Sequence, residues 1–144
     1  MNVYFLGTGT SQGIPVIGCE DIVCKSNDLR DKRLRVAIWV HDEHFSVVID
    51  CGPDFRTQML QSGCQRLDAL LFTHEHADHT AGLDDIRPFY FKQGAISLYG
   101  HSRVLANLAN RFDYIFQTEN KYPGAPSVVP IPVYPDEAFS VNNQ

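Results

Sequence analysis

Thr73-His74-Glu75-His76-Ala77-Asp78-His79 packs five side chains that bind or steer metals into seven residues. In an extended segment, residues two apart point the same way, so His74 and His76 can set two imidazoles on one ion. If the chain then turns, Asp78 and His79 are offset and suit a second ion nearby. Imidazole with carboxylate suits zinc, and also manganese or iron. Two ions about 3.5–4 Å apart can share a hydroxide and present a nucleophile at neutral pH. The expected cofactors are therefore two divalent ions, zinc first. The metal ligands are His74, His76, Asp78 and His79, with Asp78 the catalytic position. Glu75 and Ala77 would point away.

The ligand run needs a rigid base, and the sequence supplies one. Leu67-Asp68-Ala69-Leu70-Leu71-Phe72 precedes it as a buried strand. Residues 44–49 lead into Asp50-Cys51-Gly52-Pro53-Asp54. Glycine and proline end the strand at once and leave Asp50 where strand ends meet loops, the place α/β folds put their sites. Thr73 and Asp50 are candidates to hold the ligands from behind by hydrogen bonds. Asp54 is predicted to cap a helix starting at Phe55 and closing at Gly63.

Elsewhere the elements are plainer. Residues 2–6 form a first strand, followed by the glycine-rich loop Gly7–Gly13, read as a tight turn forming one wall of the site. Alternation in residues 35–41, and less clean alternation in 44–49, about Asp42-Glu43 predicts a hairpin with His41 and His44 on the surface. Arg33 and Arg35 close a charged run, and either can turn inward toward an anion. Residues 96–99 read as a strand. Ser102 is expected to cap a helix whose Val104, Leu105, Leu108 and Phe112 share one face. Residues 127–134, broken by Pro130 and Pro132, suit only an edge strand.

Composition narrows the function. The chain has 144 residues, 44% of them hydrophobic, with a net charge of −5. This suits one domain with a real core and disfavours a broad nucleic-acid footprint. The N-terminus lacks a basic n-region, and no apolar run approaches membrane-spanning length. Four cysteines without a secretory signal point to a reducing, cytoplasmic setting with thiols free or on metal. Cys19 and Cys24 are either ordinary loop thiols or part of a structural metal site that needs two more ligands.

His74-x-His76-x-Asp78-His79 resembles the signature of the metallo-β-lactamase superfamily. Phe5-Leu6-Gly7-Thr8-Gly9-Thr10-Ser11 with Pro15, Ile49–Arg56, Gly82–Phe89, Arg111–Tyr114 and Lys121–Gly124 are similar to one branch. That branch holds phosphodiesterases akin to the phosphonate-pathway enzyme acting on phosphoribosyl cyclic phosphate. The resemblance implies an α/β fold, the αββα sandwich, with its N-terminal half present. It implies His74 and His76 on one metal, Asp78 and His79 on the other, and Asp50 supporting the loop.

The implied activity is hydrolysis of a small (cyclic) phosphodiester through a metal-bridging hydroxide. Arg87 is the candidate contact to substrate phosphate, together with Asp84, unless the two form an ion pair. The family's Cys-x-Cys-x-x-Cys element has Asp21 at its middle position here. Its members also run on for about as long again, supplying a third histidine, a bridging aspartate and a last histidine, whereas no histidine follows His101. The expectation is a metallo-β-lactamase-like domain over residues 1–144, cut before its C-terminal half, or completed by a homodimer or partner chain. The alternatives are a tRNA 3′-end endonuclease-like hydrolase and a non-catalytic fragment or assembly module.

Overall fold

Successive side chains of a strand point to opposite faces, so an apolar residue at every second position lines one side of a sheet. In the computed structural model, which describes residues 1–141, six strands use this rule. They are β1 (Asn2–Gly7), β2 (Ala37–His41), β3 (Ser46–Ile49), β4 (Ala69–Phe72), β5 (Ile96–Gly100) and β6 (Val128–Pro132). They lie in sequence order in one sheet. The first two pairings are antiparallel and the last three parallel. Parallel neighbours need crossovers, and the helices provide them. α1 (Ile22–Lys25) lies between the antiparallel β1 and β2, and the crossovers carry α2 (Phe55–Ser62), α3 (Ala77–Thr80), α4 (Arg87–Gln93), α5 (Ser102–Arg111) and α6 (Asp113–Phe116).

Register aligns Trp39, Val48, Leu70 and Leu98 across four strands. This row packs with Phe55 and Met59 of α2, Phe89 of α4, and Val104, Leu105 and Leu108 of α5 in the main core. Val48, Phe55, Leu70, Leu98 and Leu108 are fully buried. The opposite face is also apolar. Val47, Ala69 and Tyr99 form a second cluster there with Phe45, Leu71, Ile131, Val133 and Val141. Residues 133–141 fold back over part of it. The Tyr99 hydroxyl donates to the Ser140 carbonyl at 3.2 Å, and Phe139 stacks on its ring. One sheet with helices on one side is thus one β layer and one α layer of the expected sandwich. Among the described residues, no helix is long and apolar enough to cross a membrane.

Several local expectations are corrected. Asp54 stands at the start of α2 but caps nothing. Its two carboxylate oxygens accept from the Arg35 backbone N–H at 2.8 Å and from the Arg35 guanidinium at 3.0 Å. Arg35 therefore faces a structural carboxylate, and Arg33 donates to the Thr8 hydroxyl. α5 is capped by His101, whose Nδ1 accepts from the Arg103 N–H, because Ser102 already lies inside the helix. His41 is half-buried and stacks on Trp39, whereas His44 is exposed. Cys19 and Cys24 are joined to each other as a disulfide rather than left as free or metal-bound thiols. α1 turns the chain back between them and brings their Cα atoms to 6.1 Å, within the span such a bond bridges.

The glycine loop is stitched into the sheet rather than left open for a phosphate. Gly9 N–H donates to the Leu34 carbonyl, and Ile14 and Arg33 exchange a pair of backbone bonds. A Cβ on Gly7 would strike the Arg35 carbonyl, so the close approach requires glycine there.

Candidate metal centre

β3 and β4 are parallel neighbours, so their C-terminal ends lie side by side. Asp50 follows β3, and Thr73 follows β4. Asp50 is buried, at 4% exposure, with φ +63°, a left-handed conformation that aspartate adopts more readily than most residues. This kink turns its carboxylate toward the neighbouring loop. One oxygen accepts from the Thr73 N–H at 2.9 Å, and the other from the Thr73 hydroxyl at 2.7 Å. The second oxygen also lies 2.7 Å from Nδ1 of His79.

These contacts settle proton positions. A carboxylate that already takes two donors accepts from His79 as well, so Nδ1 of His79 carries a proton, and in the neutral ring that tautomer leaves the lone pair on Nε2. The Thr73 hydroxyl spends its single proton on Asp50, so it accepts from Nδ1 of His74 at 3.0 Å. His74 is then in the same tautomer. One buried aspartate orients both imidazoles, His79 directly and His74 through Thr73, and leaves the Nε2 atom of each free to bind a cation.

Beyond Thr73 the chain leaves the strand, His76 is itself extended, and α3 begins at Ala77. His74, His76 and Asp78 each offer one ligand atom, and the three lie within 4.8 Å of one another. Nε2 of His79 lies 3.3 Å from an Asp78 oxygen. The rings of His74 and His79 are 4.0 Å apart. All four sequence-predicted ligands thus share one patch, with the tightest grouping spanning both of the pairs assigned from spacing. Two imidazoles and a carboxylate with free lone pairs suit a borderline divalent ion such as zinc. Glu75 turns away and pairs with Arg103 at 3.3 Å.

Arg87 and Asp84 are brought together with each other. The guanidinium Nη2 reaches both Asp84 oxygens, at 2.7 and 2.8 Å. The Tyr114 hydroxyl donates to the same carboxylate at 3.0 Å. Burial, then this hydrogen bond and the Asp84 charge, push the Tyr114 phenol up to about 12. Asp84 in turn raises the Arg87 guanidinium.

Two glycines that the residue types alone did not single out make the site compact. A Cβ on Gly52 would collide with the carbonyl of Asp78, and one on Gly82 with the carbonyl of Gly52 and with Phe55 Cβ at 2.7 Å. Cys51 N–H donates to the His79 carbonyl, and Gly82 N–H to the Cys51 carbonyl. The turn after β3 is therefore pressed directly onto the turn that carries Asp78 and His79. Gly52, two residues after the buried Asp50, was the available signal.

A layered α/β sheet with histidine and aspartate side chains gathered at the ends of adjacent parallel strands is the arrangement of a metallo-β-lactamase fold. Residues 46–144 match the beta-lactamase superfamily domain, and the chain belongs to that family. It is 39% identical to a solved diphosphatase from the PhnP family. The match has a TM-score of 0.83 and covers 96% of this chain and 52% of that one. Zn²⁺-bound PqqB from Methylobacterium extorquens, at 21% identity and TM-score 0.79, shares the fold over 98% of this chain and 52% of its own. A protein of Porphyromonas gingivalis named octanoyltransferase is 42% identical over 142 residues, 98% of this chain and 28% of that protein. The chain thus spans about half the length of these solved relatives and less of the curated one. The superfamily includes hydrolases such as the PhnP-family diphosphatase, and proteins of this fold bind divalent metals, as PqqB does.

Proposed function

We propose that the protein is a metal-dependent phosphodiesterase acting on a small phosphodiester, cyclic ones included. One observation carries the reading: His74, His76 and Asp78 converge within 4.8 Å on a loop whose imidazole tautomers are set by a buried aspartate. Such an arrangement is costly unless it serves a cation, because it gathers polar groups around a strained, buried carboxylate. The 39% identity to a diphosphatase of the PhnP family supports phosphorus–oxygen chemistry. Zinc is the favoured ion, with manganese or iron as substitutes, and a pair of ions the favoured number.

Bound ions would supply Lewis acidity toward a phosphoryl oxygen and a water acidic enough to attack near neutral pH. The chain's own residues do the rest. His74 and His76 would hold one ion, and Asp78 and His79 the other, with Asp78 closest to the reacting centre. Asp50 and Thr73 keep both histidine Nδ1 atoms protonated and the ring planes fixed. Arg87, locked to Asp84, presents a guanidinium whose remaining N–H groups can meet a substrate phosphate. Four protein ligands are few for two ions, so further donors are proposed to come from outside these residues, by a continuation of the chain or a partner copy.

Acyl transfer through a cysteine nucleophile finds no support here. Cys51 is fully buried with its thiol pushed well up, and Cys64 is buried and pushed up as well, burial being the larger cause for each. A thiolate is the reactive form, and both sites suppress it. The net charge of −5 counts against a nucleic-acid substrate.

The test is hydrolysis of bis(p-nitrophenyl) phosphate and of a cyclic nucleotide by the full protein, with zinc or manganese supplied after chelation. Activity restored by metal and abolished by His76→Ala is expected. Full activity in His76→Ala would refute the mechanism.

A further inference from the structure

Helix α5 reaches the ligand loop from its far side, and its last residue is Arg111. Nη1 of Arg111 donates to the carbonyl of Glu75 at 2.8 Å and to the hydroxyl of Thr80 at 2.9 Å. Thr80 is fully buried, and its hydroxyl lies 2.9 Å from the carbonyl of His76. A guanidinium can only donate, so it occupies a lone pair of the hydroxyl and forces the hydroxyl's one proton onward. That proton goes to His76, because the other carbonyl in reach, that of Glu75, is 3.5 Å away. Arg111 thus fixes two successive carbonyls, one directly and one through Thr80.

Those two carbonyls belong to the peptide planes on either side of the His76 Cα. Fixing both planes fixes φ and ψ of His76, here −65° and 152°, and with them the direction of its Cα–Cβ bond. Asp50 and Thr73 reach His74 and His79, but neither bonds to His76. The His76 carbonyl also takes the His79 N–H at 3.0 Å, so without Arg111 and Thr80 this residue would be held only by bonds within its own loop. We propose that Arg111, with Thr80 as relay, is the positioning residue for His76. This rests on the metal-centre reading above. Arg103 adds an outer grip on the Glu75 carboxylate, but its contact is exposed and reaches no carbonyl of the loop.

The test uses the full chain and compares Arg111→Met, Thr80→Val, Thr80→Ser, the double variant Arg111→Met/Thr80→Val, and His76→Ala. Zinc affinity is read by competition with a chromophoric chelator, ligand geometry by the visible spectrum of the cobalt-substituted protein, and folding by urea unfolding without metal. Arg111→Met and Thr80→Val are expected to weaken zinc binding by about 10–100-fold and to shift the cobalt bands. The double variant should lose little more than either single one, because both cut the same relay. Thr80→Ser keeps the hydroxyl and should keep wild-type affinity and spectrum.

If Arg111→Met and Thr80→Val change only the urea midpoint, leaving affinity and spectrum at wild type while His76→Ala abolishes binding, the positioning role is overturned. If His76→Ala itself leaves zinc affinity unchanged, the metal-centre reading fails and takes the proposal with it.

Discussion

Replacing Asp50 by Asn is the most discriminating perturbation of the site. Asparagine has the same shape and tolerates the left-handed backbone at φ +63°, so the fold is retained. Its carbonyl oxygen can still accept from the Thr73 N–H. Its amide replaces the oxygen that now takes the Thr73 hydroxyl and His79 Nδ1, both at 2.7 Å. A hydrogen bond to a charged group contributes about 1.5–3 kcal/mol, against about 0.5–1.5 kcal/mol for a neutral one. Losing the charged character of two bonds should therefore cost about 2–3 kcal/mol of folding stability.

The amide also donates where the carboxylate accepted. His79 must then give up its Nδ1 proton and carry it on Nε2, which removes the lone pair a metal needs. The Thr73 hydroxyl, its proton no longer accepted by residue 50, can donate to Nδ1 of His74 instead and no longer holds that ring in its tautomer. Zinc affinity should fall by about 10–100-fold. Urea unfolding of the metal-free protein reads the first effect, and competition with a chelating dye reads the second. Wild-type zinc affinity in Asp50→Asn would refute the argument that this carboxylate sets the imidazole tautomers, whatever the stability change.

Three further outcomes follow from the same geometry. Gly52→Ala should destabilise the protein and disrupt metal binding together, because its methyl group must displace the Asp78 carbonyl; a variant with wild-type melting temperature and zinc affinity would contradict the packing of the two turns. The Tyr114 phenol, raised to about 12 from an ordinary value near 10, stabilises the fold fully below pH 10. That contribution is lost as pH rises through about 12, so Tyr114→Phe should show a shallower alkaline loss of stability between those values, measured by urea unfolding at each pH. The buried thiols of Cys51 and Cys64 should resist Ellman's reagent in the native protein at pH 8 and react on unfolding; rapid native labelling of both would place them wrongly.

Much of this architecture was legible in the sequence because it rests on local pattern. Alternation marked β2 and β3, an apolar run marked β4, and helical spacing with Gly63 marked α2. The end-of-strand position of Asp50 was legible because Gly52 and Pro53 forbid the strand from continuing. What escaped depends on contacts distant in sequence. Asp54 has the type and place of a helix cap, yet it serves Arg35, because β2 brings that residue's N–H and guanidinium within reach. Ser102 lost the cap to His101 by a shift of one residue, a margin that propensity does not resolve. The Cys19–Cys24 pairing depends on the four-residue turn α1, too short to show periodicity. Thr80 and Arg111 join the site only because α5 packs across from α3, and neither residue type signals metal chemistry by itself.

Everything proposed for the site depends on the loop from His74 to His79 holding metal. Crystals of the protein grown with zinc, with diffraction recorded on both sides of the zinc absorption edge, test it most directly. An anomalous peak is expected about 2.0–2.1 Å from imidazole nitrogens of His74 and His76, with Asp78 and His79 around it. Zinc bound only elsewhere, with these four side chains free of any anomalous peak, would contradict it.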